Sequence, residues 1–252
     1  MFFFEIGGAA LSLIMAMIWP TAGSRFFSRM KAVCALITKR RFFSVVLVGV
    51  MALALRAAIL PIEPIPQPFM TDEFSYLLMA DTFSHGRLTN PTHAMWTHFE
   101  TFHVNQNPTY CSMYYPIQGA FLALGKVLFG NAFWGVWLSC GLMCACFCWA
   151  LQGWMPASWA FLGGCLAVVR LASFSYWANS YWGGSAAAIG GALLLGAIPR
   201  IARRPCIRYA VILGVGLAIL GNSRPYEACF MPLRQWRHLL SLSCEPNHPG
   251  HY

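Results

Sequence analysis

The chain has 252 residues that are 58% hydrophobic and 15% aromatic but only 10% charged, where a soluble globule carries roughly 25% charged residues. That deficit excludes a water-soluble globule and calls for a non-aqueous solvent. The formal net charge of +9 is concentrated in short segments between apolar stretches, which marks topology and membrane-surface attraction and implies no nucleic-acid partner.

Crossing a hydrocarbon core of ~30 Å takes about 20 helical residues. Every backbone amide in such a stretch must be bonded within it, which selects helices over open strands. In chain order, spans are expected over residues 2–19, 43–62, 132–151, 157–175, 183–199 and 209–222. Residues 114–130 (YYPIQGAFLALGKVLFG) are also apolar, but Pro116, Gln118 and Lys126 interrupt them, so an interfacial or re-entrant helix is expected there. The expected fold is all-α: a polytopic transmembrane helix bundle of five to six spans with a long extracytoplasmic loop containing amphipathic helices. Five spans apply if the chain starts at Met30 rather than Met1, because MKAVCALITKRRFFSVV is the better-formed start. A cleaved signal peptide is not expected, since Arg56 interrupts the suitable stretch and no small-residue cleavage site follows.

Lysine and arginine fix the expected orientation, because short cytoplasmic loops hold an excess of them. Arg25, Arg29, Lys31, Lys39, Arg40 and Arg41 lie between the first two spans, and Arg200, Arg203, Arg204 and Arg208 between the last two. The loop from 63 to about 113 carries Glu63, Asp72, Glu73, Asp81 and Glu100 against a single Arg87, which fits the opposite side. Three regions result: 1–41, an N-terminal span and basic cytoplasmic segment; 42–227, a transmembrane domain with extracytoplasmic loop 63–131; and 228–252, a polar tail. The tail (PLRQWRHLLSLSCEPNHPGHY) lacks periodicity and reads as a disordered end or a departure from the original reading frame. Arg56, late in its span, is expected to snorkel or to pair with Glu63 or Asp72.

Cys140, Cys144, Cys146 and Cys148 fall inside an apolar span, where cysteine acts as a small hydrophobe. His93, His98 and His103 recur every five residues with Glu100 among them. That spacing stacks no ligands on one helix face. Polar loop residues at an aromatic-rich interface is the first reading, and a metal site built with Glu100 or Asp72 the second.

Asp72 and Glu73 follow the proline-rich turn IEPIPQPFMT and open the helical pattern DEFSYLLMADTFSHG. Thr71 is the expected N-cap, and carboxylates in a first turn interact favourably with the helix dipole. The same pair, held near the membrane surface, could serve as general base toward a lipid-linked substrate.

The ordered set of a basic segment, one span, an external Asp-Glu pair heading a helix, a long loop and closely spaced spans resembles the N-terminal half of the GT-C superfamily of membrane glycosyltransferases. DEFSYLLMADTFSHGRLTNPTH, NPTYCSMYYPIQGAFLALGKVLFG and SYWANSYWGGSAAAIGGALLLGAIPR look like bacterial members described as RgtA/B/C/D-like or dolichyl-phosphate-mannose-mannosyltransferase-like. The resemblance covers roughly residues 40–227. It implies inverting transfer of a sugar from a polyprenyl-phosphate donor to a lipid or glycan acceptor on the extracytoplasmic face of a bacterial inner membrane. It implies Asp72 as general base and Glu73 as the residue orienting the acceptor or the neighbouring loop. Arg224, in NSRPYE, is the expected partner of the phosphate leaving group. Tyr181, Trp182, Tyr176 and Trp177 would offer aromatic faces to sugar or isoprenoid, and His103 is a further substrate-binding candidate. No cofactor is implied, and a divalent metal stays open. Superfamily members usually run to twice this length, so a truncated or frameshifted, inactive copy is expected as one outcome. The alternatives are a non-catalytic multi-pass membrane protein and a transporter subunit, for which Arg56 and Arg170 are the intramembrane charges.

Overall fold

A computed structural model describes residues 2–19 and 23–229; the tail from residue 230 onward lies outside them. Among the described residues the helices in chain order are α1 (Phe2–Ile18), α2 (Ser24–Ile37), α3 (Arg41–Ile59), α4 (Thr71–Ser84), α5 (Pro116–Phe129), α6 (Phe133–Leu151), α7 (Ala157–Leu171), α8 (Gly184–Arg203) and α9 (Ile207–Gly221). Between α4 and α5 a short antiparallel ribbon pairs β1 (Val104–Asn105) with β2 (Cys111–Ser112).

The protein is mostly helical, and α3, α6 and α8 are each long and apolar enough to cross a membrane, by length and composition. The other expected spans are also helical but shorter. At 15 residues each, α7 and α9 rise about 22 Å, less than a ~30 Å hydrocarbon core. Apolar side chains point outward along the bundle, Val46 and Val50 on α3, Leu166 and Val169 on α7, Val211 and Val215 on α9. A water-soluble fold would place polar groups there, and lipid accepts the apolar ones.

One segment departs from the sequence reading. The basic segment after the first span is largely a helix, α2, which packs against α7. The apolar stretch 114–130 contains a helix, as expected, the 14-residue α5, and Pro116, Gln118 and Lys126 belong to it. Pro116 occupies the first turn, where a missing N–H leaves no helical bond unmade. Gln118 is buried on the packed face, and Lys126 reaches Asp81 of α4 in an ion pair.

Helix α6 is the hub, packing against α3, α5, α7 and α8, while α9 packs on α8. Apolar burial does not drive helices together in lipid, so close backbone approach supplies the contact. A Cβ placed at Gly125 of α5 would lie 2.0 Å from the Gly135 nitrogen of α6, and one at Gly190 of α8 would lie 2.9 Å from the Gly216 carbonyl oxygen of α9. Glycine is required at both crossings. Buried polar groups add ties from α6 and its C-terminal end, Ser139 to Ser185 of α8 at 2.8 Å and Gln152 to Ser44 of α3 at 2.9 Å.

Arg56, only 1% exposed, corrects the expectation of a carboxylate partner. Its guanidinium donates to the backbone carbonyls of Glu63 (3.0 Å), Pro64 (3.5 Å) and Ala178 (3.3 Å) and lies over the Phe133 ring. Five donors in a planar fork suit several carbonyls at once. The end of α3 is thereby pinned to the turn preceding α4 and to the loop preceding α8, the two segments that frame the site.

Candidate functional site

The start of α4 is organised by Glu73, not by Thr71. Met70 is the extended residue before the helix, and Thr71 is already helical. Glu73 reaches back so that its Oε2 accepts from the backbone N–H of Phe69 (2.8 Å) and of Met70 (3.2 Å). Those are donors that a helix start otherwise leaves unbonded. Its Oε1 accepts from the N–H of Tyr181 at 3.0 Å. With three backbone donors on a carboxylate that is 5% exposed, Glu73 joins α4 to the loop before α8.

Asp72, one residue earlier, faces the other way. Its Oδ1 lies 2.9 Å from Nε2 of His103, and its carboxylate lines a cleft of about 320 Å³. His103 adopts a φ of 67°, an uncommon left-handed conformation for a side-chain-bearing residue. Its carbonyl accepts from Ser75 Oγ (2.5 Å) and from the Met113 N–H (3.2 Å), which fixes that backbone turn against α4 at the base of the ribbon. Ser112 of β2 bonds the same Ser75 hydroxyl at 2.7 Å.

The second ring nitrogen of His103, Nδ1, lies 2.9 Å from the Tyr114 hydroxyl. Tyr114 stacks on Tyr76 at 4.6 Å between centroids. Burial first, then a hydrogen bond to Asp72 and the Asp72 charge, push the Tyr114 phenol well above its ordinary value. The Tyr76 phenol is likewise raised, by burial first and by Asp72, with Arg224 opposing. The Asp72 carboxylate only accepts, so the hydrogen of its contact with His103 sits on Nε2. Both ring nitrogens of His103 are thus engaged, one by Asp72 and one by Tyr114.

Arg224 lies just beyond α9 and lines the same cleft, together with Tyr76, Tyr114, Tyr176 and Trp182. It pairs with Glu227 at 3.0 Å and is more than half exposed. Tyr181 does not line the cleft: it is 4% exposed, its hydroxyl donating to the Pro66 carbonyl at 3.0 Å. The tertiary structure thus brings Asp72, Arg224 and Trp182 onto one surface and sets Glu73, Tyr181 and His103 around it as supports.

The metal reading of the histidine run is not assembled. His93 packs edge-on against Phe99 at 5.1 Å, and His103 turns to Asp72 instead of its sequence neighbours. Among the described residues no three His, Cys, Asp or Glu side chains converge to hold a metal ion. Sequence reasoning missed Tyr76 and Tyr114. The spacing of Asp72 and Tyr76, four residues apart on one helix face, was the available signal for the first; Tyr114 had none, since only the ribbon brings it to His103.

A second groove of about 390 Å³ adjoins the cleft. It shares Tyr176, Gly184 and Arg224 with it and continues along α8 past Ala187 and Gly191 to Leu220. Comparison with known proteins gives no match to a family model, a curated protein or a solved structure.

Proposed function

We propose that the chain is a membrane glycosyltransferase of the GT-C type, moving a sugar from a polyprenyl-phosphate donor to a lipid or glycan hydroxyl. The observation that carries this reading is the meeting of the Asp72 carboxylate and the Arg224 guanidinium on one cleft, far apart in sequence, with Trp182 and Tyr176 beside them.

Asp72 takes the proton of the acceptor hydroxyl as its oxygen bonds to the anomeric carbon. On the opposite face the bond from that carbon to the phosphate oxygen breaks, inverting the centre. The polyprenyl phosphate leaves with one more negative charge, which Arg224 meets as a fork suited to phosphate oxygens. His103 holds Asp72 in place from behind. The adjoining apolar groove along α8 suits an isoprenoid tail entering from the bilayer.

In this reading the helices form a bundle of about six spans in a bacterial inner membrane, with loop 63–131 extracytoplasmic. The charge asymmetry between that loop and the basic segments supports it.

The test is transfer of labelled sugar from polyprenyl-phosphate hexoses into lipid or glycan by membranes carrying the chain. Transfer above that of membranes lacking it, abolished by Asp72→Asn, supports the reading. Equal transfer with and without the chain, across a panel of such donors, removes it.

A further inference from the structure

The loop after α4 folds back on itself and forms a groove of about 650 Å³, which among the described residues shares none with the Asp72 cleft. Asn90 exchanges backbone hydrogen bonds with Tyr110, both at 2.9 Å, and its Nδ2 donates to Thr82 Oγ1 of α4 at 2.7 Å. Thr92 Oγ1 donates to the Pro108 carbonyl at 2.8 Å. The two arms of the loop are thus tied to each other and to α4, so the groove is formed before a ligand arrives. Its volume falls in the range of ~300–1,000 Å³ usual for small-ligand sites.

Gln106, 7% exposed, lines this groove. Its Nε2 donates to the Phe99 carbonyl at 2.8 Å. A carbonyl only accepts, so this bond fixes the nitrogen on that side and Oε1 on the other. No group among the described residues donates to that oxygen. It is not sealed off: the sealed side-chain oxygens that lack a partner among the described residues are those of Gln118 and Asn179. A largely buried side chain therefore holds an open acceptor at the groove, and such acceptors are normally served by a ligand or water. His93 supplies the complementary donor. Its Nδ1 accepts from the Met95 N–H at 3.1 Å, which puts the ring hydrogen on Nε2. Phe99, edge-on to His93 at 5.1 Å, and Tyr110 add apolar ring surface.

We propose that this groove binds a neutral saccharide, the distal sugars of a glycan whose reacting hydroxyl enters the Asp72 cleft. The acceptor role rests on the glycosyl-transfer reading; the saccharide chemistry rests on the groove itself. Among the described residues no aspartate, glutamate, lysine or arginine lines it, so an ionic ligand finds no counter-charge. An open acceptor calls for a donor hydrogen, which a hydrocarbon chain lacks. A sugar brings both things the lining asks for: hydroxyls that donate to Gln106 Oε1 and accept from His93 Nε2, and a C–H face for the aromatic rings. The two sites are also close along the chain. Thr101 lines the groove and His103, two residues on, contacts Asp72, which puts their Cα atoms at most about 7 Å apart.

The test is binding of neutral trisaccharides (maltotriose, cellotriose, mannotriose and triacetylchitotriose) to the purified chain in nanodiscs, with citronellyl phosphate as the probe of the Asp72–Arg224 cleft. The unmodified protein is expected to bind at least one trisaccharide. Gln106→Leu is expected to weaken it about tenfold, the worth of one good hydrogen bond, and His93→Phe, which keeps a ring beside Phe99, to weaken it several-fold. Citronellyl phosphate should bind both variants as it binds the parent. Binding of no trisaccharide, or undiminished binding by both variants, overturns the inference. So does equal loss of both probes, which makes Gln106 and His93 folding residues, and so does binding of N-acetyl-trialanine amide in place of the trisaccharides, which makes the groove a peptide site. Sugar transfer by membranes carrying the chain, with no trisaccharide bound, strikes this inference alone. Trisaccharide binding without sugar transfer from any donor removes the transferase reading and the acceptor role with it.

Discussion

Nε2 of His103 stands 2.9 Å from Oδ1 of Asp72, and Tyr114 occupies the opposite nitrogen of the ring. A carboxylate gripped in this way loses rotational freedom before substrate arrives, which is what a general base needs. His103→Ala should lower kcat for sugar transfer by up to about 10²-fold, with KM for the donor nearly unchanged. His103→Gln, which can still present an N–H to Asp72, should recover part of the loss. A loss matched by an equal fall in the amount of folded protein, unrelieved by glutamine, would make His103 a folding residue only.

Asp72→Asn should lower transfer by about 10²–10⁴-fold, the usual contribution of a general base. An exposed carboxylate in a first helical turn is otherwise worth only about 0.3–1 kcal/mol, so the amount of folded protein should stay the same. Full transfer by this variant would end the catalytic assignment.

Glu73→Gln should act on stability. The amide has one oxygen where the carboxylate has two, so it cannot accept from Phe69, Met70 and Tyr181 together. Leaving a buried N–H unbonded and removing charge-assisted bonds should cost about 2–3 kcal/mol. Thermal unfolding in detergent reads this directly. A melting temperature equal to the parent's would show that the three bonds contribute nothing.

Arg224→Ala should weaken donor binding and slow phosphate departure, with Arg224→Lys retaining charge but not the two-pronged geometry. The expected order of donor affinity is Arg, then Lys, then Ala, spanning roughly tenfold per step. Identical donor titrations for all three would place the leaving phosphate elsewhere.

The Asp81–Lys126 pair should give a pH-dependent contribution to stability. The hydrogen bond from Lys126 holds the Asp81 carboxyl below its ordinary value, with burial opposing. A depressed folded-state value contributes stability that is present above the unfolded carboxylate value and lost as pH falls through the folded-state one. Both side chains are more than a third exposed, so the gain is at most about 1 kcal/mol. Lys126→Met should therefore melt slightly lower than the parent at pH 7, with the gap closing as pH falls through the depressed Asp81 value. A gap that persists at acid pH would assign the effect to packing of the lysine stem.

Composition and periodicity were enough for the helical class, the positions of the apolar helices and the helix opening at Asp72 and Glu73, because each depends on neighbours along the chain. The membrane-length helices α3, α6 and α8 coincide with expected spans for that reason. In the basic segment the charges mask the short amphipathic pattern of α2. Tertiary structure decided the division of labour between the two carboxylates. Consecutive residues point about 100° apart around a helix, and only the arrival of the Tyr181 N–H on one side and His103 on the other determines which is buried and which faces the cleft. It likewise gave Arg56 three carbonyls in place of a carboxylate. Those partners come from loops distant in sequence, and no local pattern encodes a contact that exists only after the helices have packed.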